Sequence, residues 1–471
     1  MNTNLYNLFS VFNFILFVLF FSDDVFAQWT YKEPQSVHKV WIQDNLVLDE
    51  NSVWMGGNEF VWDTSINNWN FGQSAYFYST SDGGQTWKSG RFDIAEARYP
   101  YISALGAWDA KNAWAAVYGV GDGTNTIFTT NDGGDHWTES TLDIFKNESS
   151  YINAISFKDS LNGFMFGDPT PLPGGVDYFF EIYTTTDGGK SWNRVPRENI
   201  PDPLPDEYGI TDEYSRIGDK LWFVTDIGRL FSSEDGGLHW DVDQVADGSL
   251  TLFRFVDKDH GLTYVSVPQQ TGKLLYTNDG GINWIDVTPP FVTSTQYYFS
   301  VTLIPQSYFI LINISENVEG GPYKSYLSKD LGKSWLQIGE GDAFSYARFV
   351  NPEVGYAGEG LTKDQVHPTR IFKYAGNPLS GLFQQTKLQA DLSFTPNPVN
   401  DFLRLDISLS NNSPLLILIN STDGKLLWSK EVESFTNKHT EWIDLKAFVA
   451  GNYILTVSNA GGSISNAFVK N

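Results

Sequence analysis

One eight-residue pattern recurs six times in this chain and limits what it can fold into. The copies read TSDGGQTW, TNDGGDHW, TTDGGKSW, SEDGGLHW, TNDGGINW and SKDLGKSW, ending at Trp87, Trp137, Trp192, Trp240, Trp284 and Trp335. Their aspartates, Asp82, Asp132, Asp187, Asp235, Asp279 and Asp330, are 50, 55, 48, 44 and 51 residues apart. A fixed period of that length marks a repeat architecture in which each unit buries its apolar face against the next. Asp-Gly between two β-rich runs predicts a tight turn, with glycine supplying positive φ. The Ser/Thr hydroxyl and the Asp carboxylate can hold turn amides. The tryptophan opens the next strand and can pack under the turn. The pattern lacks the alternating acids and terminal glutamate of a calcium loop, so the aspartates read as turn-holders and no metal is expected.

Between the boxes lies a second pattern, a β-run, an Asp or Asn turn and another β-run. Examples are INAISFKDSLNGFMFGD (152–168), LTLFRFVDKDHGLTYVSV (250–267) and FSYARFVNPEVGYAGEG (344–360). Seven such hairpins stand against six boxes. Each repeat therefore carries four strands, the unit of a propeller blade. The seventh unit lacks its box and ends on the single strand 371–374. The segment Trp29-Thr30-Tyr31-Lys32 resembles the residues after each box and can supply the missing outer strand, closing the ring without an exposed edge.

The boxes resemble the Asp-box, or BNR repeat, of sialidase-like β-propellers. The closest architectural resemblance is to the photosynthetic assembly factors built on one seven-bladed Asp-box propeller, which are non-enzymatic binders. The expected fold is all-β: a single seven-bladed β-propeller of four-stranded blades over 28–376, a linker at 377–391 and a small β-sandwich over 392–471. That last segment opens on Pro396-Asn397-Pro398, continues through a turn at Gly424 and a Gly451-Asn452-Tyr453 strand, and carries a basic residue, Lys470, near its end. It resembles the type A C-terminal sorting domain of the type IX secretion system, though its tail is less basic than that family's. Residues 1–27 read as a signal peptide: an apolar run at 11–21 precedes Val25-Phe26-Ala27. No Lys or Arg comes before that run. The run is short for a membrane span, so the mature chain is expected to hold no transmembrane segment. The resemblance implies a secreted or cell-surface location and the type IX machinery as partner.

Composition removes whole function classes. Without cysteine there is no disulfide, thiol nucleophile or thiolate metal site. A net charge of −25 argues against nucleic acid as partner. No P-loop, Gly-x-Ser-x-Gly or His-Glu-x-x-His string occurs, and no cofactor is expected. Long connections are expected at 58–73, 167–180, 196–211, 313–323 and 358–369, and such loops carry function. They offer aromatics and acids, among them Trp62, Trp69, Asp168, Tyr178 and Tyr208, which suit a sugar ring or a protein partner. Arg216, Arg254 and Arg348 recur at matching places on inner strands, where they could clamp a carboxylate. Sialidases use three arginines in that way, but no Arg-Ile-Pro string occurs. Three readings stay open: a propeller binding an extracellular glycan or surface protein, a sialidase-like glycoside hydrolase, and a purely structural surface protein.

Overall fold

The strands follow from runs rich in β-branched and aromatic residues, broken at Asp-Gly and Asn turns. In the computed structural model the described residues are 29–471, apart from 35–38, 64–67, 93–98, 121–122, 147–149, 172–177, 268–269, 317–320, 342, 361–367, 375–389, 410–414, 422–425, 433–437 and 460–461. The expected signal peptide lies outside them, and so does the linker expected at 377–391 except for Ala390 and Asp391, which already belong to the first strand of the C-terminal module. Among the described residues the fold is all-β, and the one helical piece is a 3-10 turn, Arg197–Asn199.

Seven four-stranded antiparallel sheets come first. Their inner strands are Val40–Val47, Pro100–Ala107, Ile152–Phe157, Gly209–Ile217, Ser249–Phe255, Tyr297–Leu303 and Phe344–Asn351. Each packs beside its neighbours, and the seventh returns to the first, making a β-propeller ring around a central channel. The seventh sheet takes its outer strand from Trp29–Lys32, which pairs antiparallel with Ile371–Tyr374, Trp29 opposite Tyr374.

The box turns have one repeated geometry. Thr80 Oγ1 donates to Asp82 Oδ1 at 2.8 Å and accepts from the Gly84 amide at 3.0 Å. Asp82 Oδ1 also accepts from the Thr86 amide at 2.9 Å. The same three bonds occur in the other five boxes. Gly83 and Gly84 sit at φ 71° and 78°, a conformation that costs a side-chain-bearing residue about 1–2 kcal/mol. The sixth box places Leu331 there, at φ 56°.

Each box tryptophan packs against the preceding sheet. Trp137 meets Trp54 at 5.9 Å and Phe77 at 5.2 Å between ring centroids, and Trp192 meets Trp114 at 5.7 Å. Trp240 meets Phe164 at 5.6 Å. Trp87 meets Tyr356 of the seventh sheet at 6.2 Å, which carries the pattern across the seam. The seam is also hydrogen-bonded: Ser345 Oγ donates to Ile42 O at 2.9 Å, and Asn45 Nδ2 donates to Tyr346 O and Tyr356 O at 3.0 Å each.

One expected long loop is corrected. Residues 58–73 are mostly hairpin, because Val53–Asp63 and Asn68–Thr80 run on beyond the ring as paired strands, Trp62 opposite Trp69. Continued pairing satisfies backbone groups that a loop would leave to water. The connection at 167–180 is shortened in the same way, with strand to Pro171 and again from Tyr178.

The C-terminal module is a sandwich of two sheets. One joins Ala390–Thr395, Phe402–Leu409 and Lys438–Asp444, and the other joins Leu426–Val432, Leu415–Ser421, Gly451–Asn459 and Gly462–Lys470. Alternate residues such as Leu403, Leu405, Ile417, Ile443, Leu455 and Val457 face inward and are buried together.

Two outcomes follow. Trp29 packs on Phe344 at 4.8 Å and on Tyr374 at 5.5 Å; Trp29→Ala is expected to cost about 2–4 kcal/mol, read by chemical denaturation of the full chain. The carboxyls of Asp82 and Asp187 are held down to about 2 by the hydroxyl and amide of Thr86 and of Ser191. A lowered folded pKa gives stability that is present above about pH 4 and lost as pH falls through about 2. The melting temperature is therefore expected to drop across that window, and Asp82→Asn with Asp187→Asn should blunt the drop.

Candidate functional site

The ring leaves a channel, and the inner strands decide what points into it. Every inner strand carries a register shift, for example between Ile42 and Asp44, Thr251 and Arg254, and Ser345 and Arg348. Such bulges re-aim side chains. Asp212, Leu252 and Tyr346, at three of these irregularities, have positive φ of 59°, 51° and 48°.

Buried charges gather there. Asp44, Asp212 and Glu213 are buried acids, Arg348 is buried, and Arg254 is half-buried. The Asp44 and Asp212 carboxyls lie close enough that each shifts the other. Burial pushes the Asp44 carboxyl up to about 6, against the pull of the Leu105 amide and of Arg254 and Arg348. Burial, and then the charge of Asp44, pushes Asp212 well above the usual carboxylate range. Two carboxyls that close share a proton, since both cannot ionise cheaply. Burial pushes Glu213 up to about 7. Arg348 is pushed down to about 10 by burial and by the charge of Arg254. Three acids thus face two guanidiniums, and their charges oppose one another within the cluster.

These groups also stitch the ring. Asp44 Oδ2 accepts from the Leu105 amide at 2.6 Å, joining the first sheet to the second. Glu213 accepts from the Leu252 and Phe253 amides at 2.8 and 2.6 Å, joining the fourth to the fifth. Arg254 NH1 donates to Tyr214 O at 3.0 Å.

A cavity of about 650 Å³ adjoins the cluster between the fourth, fifth and sixth sheets. Its lining comes largely from the beginnings of inner strands, including Ile210, Thr211, Ser249 and Tyr297, so it opens at the end of the ring away from the boxes. Glu213 and Tyr346 belong to both the lining and the cluster.

The three arginines separate. Arg254 and Arg348 converge on Asp44 and Asp212. Arg216 lies at the other end of its strand, where NH1 donates to Gly218 O at 3.3 Å and Asp219 and Asp159 are its nearby charges. Asp168 is half-buried and engaged: its Oδ1 accepts from Asn153 Nδ2 at 2.7 Å and from the Gly209 amide at 3.0 Å, and burial lifts it to about 6. Tyr178 and Tyr208 are exposed, at 53% and 51%. The side chains of Trp62 and Trp69 lie outside the described residues. Neighbouring Glu207 holds Arg229 at 2.7 Å with both side chains buried, which pins the 196–211 connection to the fourth sheet.

Asp44, Asp212, Glu213 and Tyr346 were absent from the sequence-derived candidates. The one signal for them is charge inside otherwise apolar inner runs, as in VWIQDNLV and GITDEYSRI.

In the C-terminal module, the opening motif and the tail meet. Asn397 Oδ1 accepts from the Val469 amide at 2.9 Å, and the Val399 amide donates to Val469 O at 2.7 Å. Pro396 and Pro398 flank that contact and are exposed. Lys470 is buried, its Nζ donating to Asn471 O at 2.6 Å. Tyr453 stacks on Phe468 at 5.5 Å in the strand that Gly451 begins. Gly424 lies outside the described residues.

Residues 393–471 match the family described as the secretion system C-terminal sorting domain. This module is a sorting domain. It assigns the chain to type IX export and to a secreted or cell-surface location. Residues 109–271 match the family described as photosynthesis system II assembly factor YCF48. Among solved structures, YCF48 bound to D1 peptide aligns with a TM-score of 0.51 at 18% identity, over 75% of this chain and 96% of that one. YCF48 from Cyanidioschyzon merolae aligns at 0.49 and 17%, over 74% and 99%. Trypanosoma rangeli sialidase in complex with the inhibitor DANA aligns at 0.39 and 10%, over 92% and 84%. The first of these is a likeness of fold. No curated protein matches the chain.

Glu213→Gln mimics the neutral carboxyl, which like the amide turns one donor towards the Leu252 and Phe253 amides, so it is expected to change stability little at pH 5. A raised folded carboxyl pKa contributes stability that is full below about pH 4 and lost as pH rises through about 7. Wild type should therefore lose stability between pH 5 and 8, and the variant should lose less, as read by thermal unfolding across that range.

Proposed function

We propose that the chain is an extracellular binding protein, carried out by its sorting domain, whose propeller holds a ligand in the cavity at the end of the ring away from the boxes. The observation that carries this reading is the cavity itself, whose volume of about 650 Å³ falls within the roughly 300–1,000 Å³ of small-molecule sites. A flat face would favour broad protein docking; a pocket favours an inserted ligand. YCF48, a propeller of the same fold, is solved with a peptide bound, which supports binding as a use for such a ring.

The hydrolase alternative asks for two carboxyls open to one cavity. Among the described residues Glu213 is the one acid of the lining, and amides take both of its oxygens. Asp44 and Asp212 are buried against each other. That arrangement supports holding a ligand over cleaving it.

The test is a glycan array and a peptide array read with the full chain and with Ser266→Trp, which fills the cavity. A signal lost in the variant, with no cleaved product, is the expected result. Product release would bring hydrolysis forward, and a signal indifferent to Ser266→Trp, or none on either array, would overturn the cavity as the site. Removing 392–471 is expected to abolish surface delivery, read by accessibility on intact cells.

A further inference from the structure

The chemistry of the cavity wall narrows the ligand class, on the reading that this cavity is the binding site. Aromatic rings line part of the wall: Trp41, Tyr264, Tyr297, Tyr298, Phe299 and Tyr346. Their flat faces suit the apolar faces of sugar rings. Hydroxyls and side-chain amides line it too, among them Thr251, Ser266, Gln270 and Gln296. Such groups both donate and accept, as sugar hydroxyls do.

Charge is the deciding feature. Among the described residues no Lys, Arg or His lines the cavity, and Glu213 is the single acid. The two guanidiniums behind the wall, Arg254 and Arg348, are drawn to Asp44, Asp212 and Glu213. Arg254 donates to Tyr214 O, and Arg348 NH1 to Ala347 O at 3.3 Å. Freeing either one for a ligand would leave a buried acid without its counter-charge, at a cost of several kcal/mol. A carboxylate, sulfate or phosphate in the cavity would find no guanidinium or ammonium among the described lining residues, and would face Glu213 instead. Arg254 and Arg348, which could have clamped a carboxylate, are therefore turned towards these acids, which disfavours acidic sugars and peptide C-termini alike.

We propose that the cavity takes an uncharged carbohydrate, with about two or three sugar rings of a longer glycan seated among Tyr264, Tyr297 and Gln270. Tyr297 is 45% exposed and Gln270 is exposed, so both can be changed without disturbing the core.

The experiment is calorimetric titration of the full chain with neutral gluco-, xylo-, manno- and N-acetylchito-oligosaccharides, and with sialylated and uronic-acid counterparts of similar length. At least one neutral series is expected to bind, with acidic counterparts at least tenfold weaker. Tyr297→Ala should weaken the neutral ligand about tenfold, and Gln270→Ala about three- to tenfold. Tighter binding of the acidic series, neutral binding untouched by both variants, or no binding of any neutral series would overturn the proposal. If an acidic sugar or a peptide from the array binds and the variants weaken it, the cavity stands as a site and the carbohydrate class falls. If the variants alter no ligand, both fall.

Discussion

The wedge of each box tryptophan into the sheet before it is the contact on which the ring depends. A lone four-stranded sheet with two apolar faces is not stable in water, and stacking neighbours is what buries them. The box fixes one large ring at the same outer corner of every repeat, held by a turn that the Asp carboxylate and the Ser/Thr hydroxyl lock. Trp87 applies the contact across the seam to Tyr356. The boxless seventh sheet receives Trp29 on a borrowed strand, and Trp29 packs beside a cluster that includes Ile304 and Leu327 of the sixth sheet. The ring is thus closed by the device that built it.

Burial then shapes the site. Closing seven sheets around a narrow channel traps polar groups, and those groups need partners. The partners here are internal: carboxyl to carboxyl, carboxyl to arginine, and carboxyl to the amide of the next sheet. The cluster holds inner strands in place and leaves the adjoining cavity with aromatic and hydroxyl chemistry in place of charge. The burial that orders the channel also decides which groups face the cavity.

Local features were legible in the sequence; long-range ones were not. A box is eight contiguous residues, so its turn, its glycines and its tryptophan could be read directly. The borrowed strand was visible because Trp29-Thr30-Tyr31-Lys32 resembles the residues that follow a box. The channel cluster joins Asp44, Asp212, Arg254 and Arg348 from four sheets, and its assembly depends on the phase of a bulge in each inner strand, which no local pattern states. For this reason matching places in the repeat suggested one arginine triad, whereas the structure separates Arg216 from the pair. The 58–73 segment misled for a different reason: its polar and aromatic mixture looked like loop, but partner strands of 11 and 13 residues extend the pairing through most of it.

The seam also sets where a pull would be felt. The strand Ile371–Tyr374 is the last of the ring before the chain runs on towards the sorting module, and it lies between Trp29–Lys32 and Val354–Glu359. Tension carried from the module enters the ring at Tyr374, and any part of it that acts along the strand loads the ladder bonds on both flanks together. Lys373 adds a cross-tie to Gly83 O at 2.6 Å in the first box. The joint that closes the ring is thus also the joint through which the module is attached.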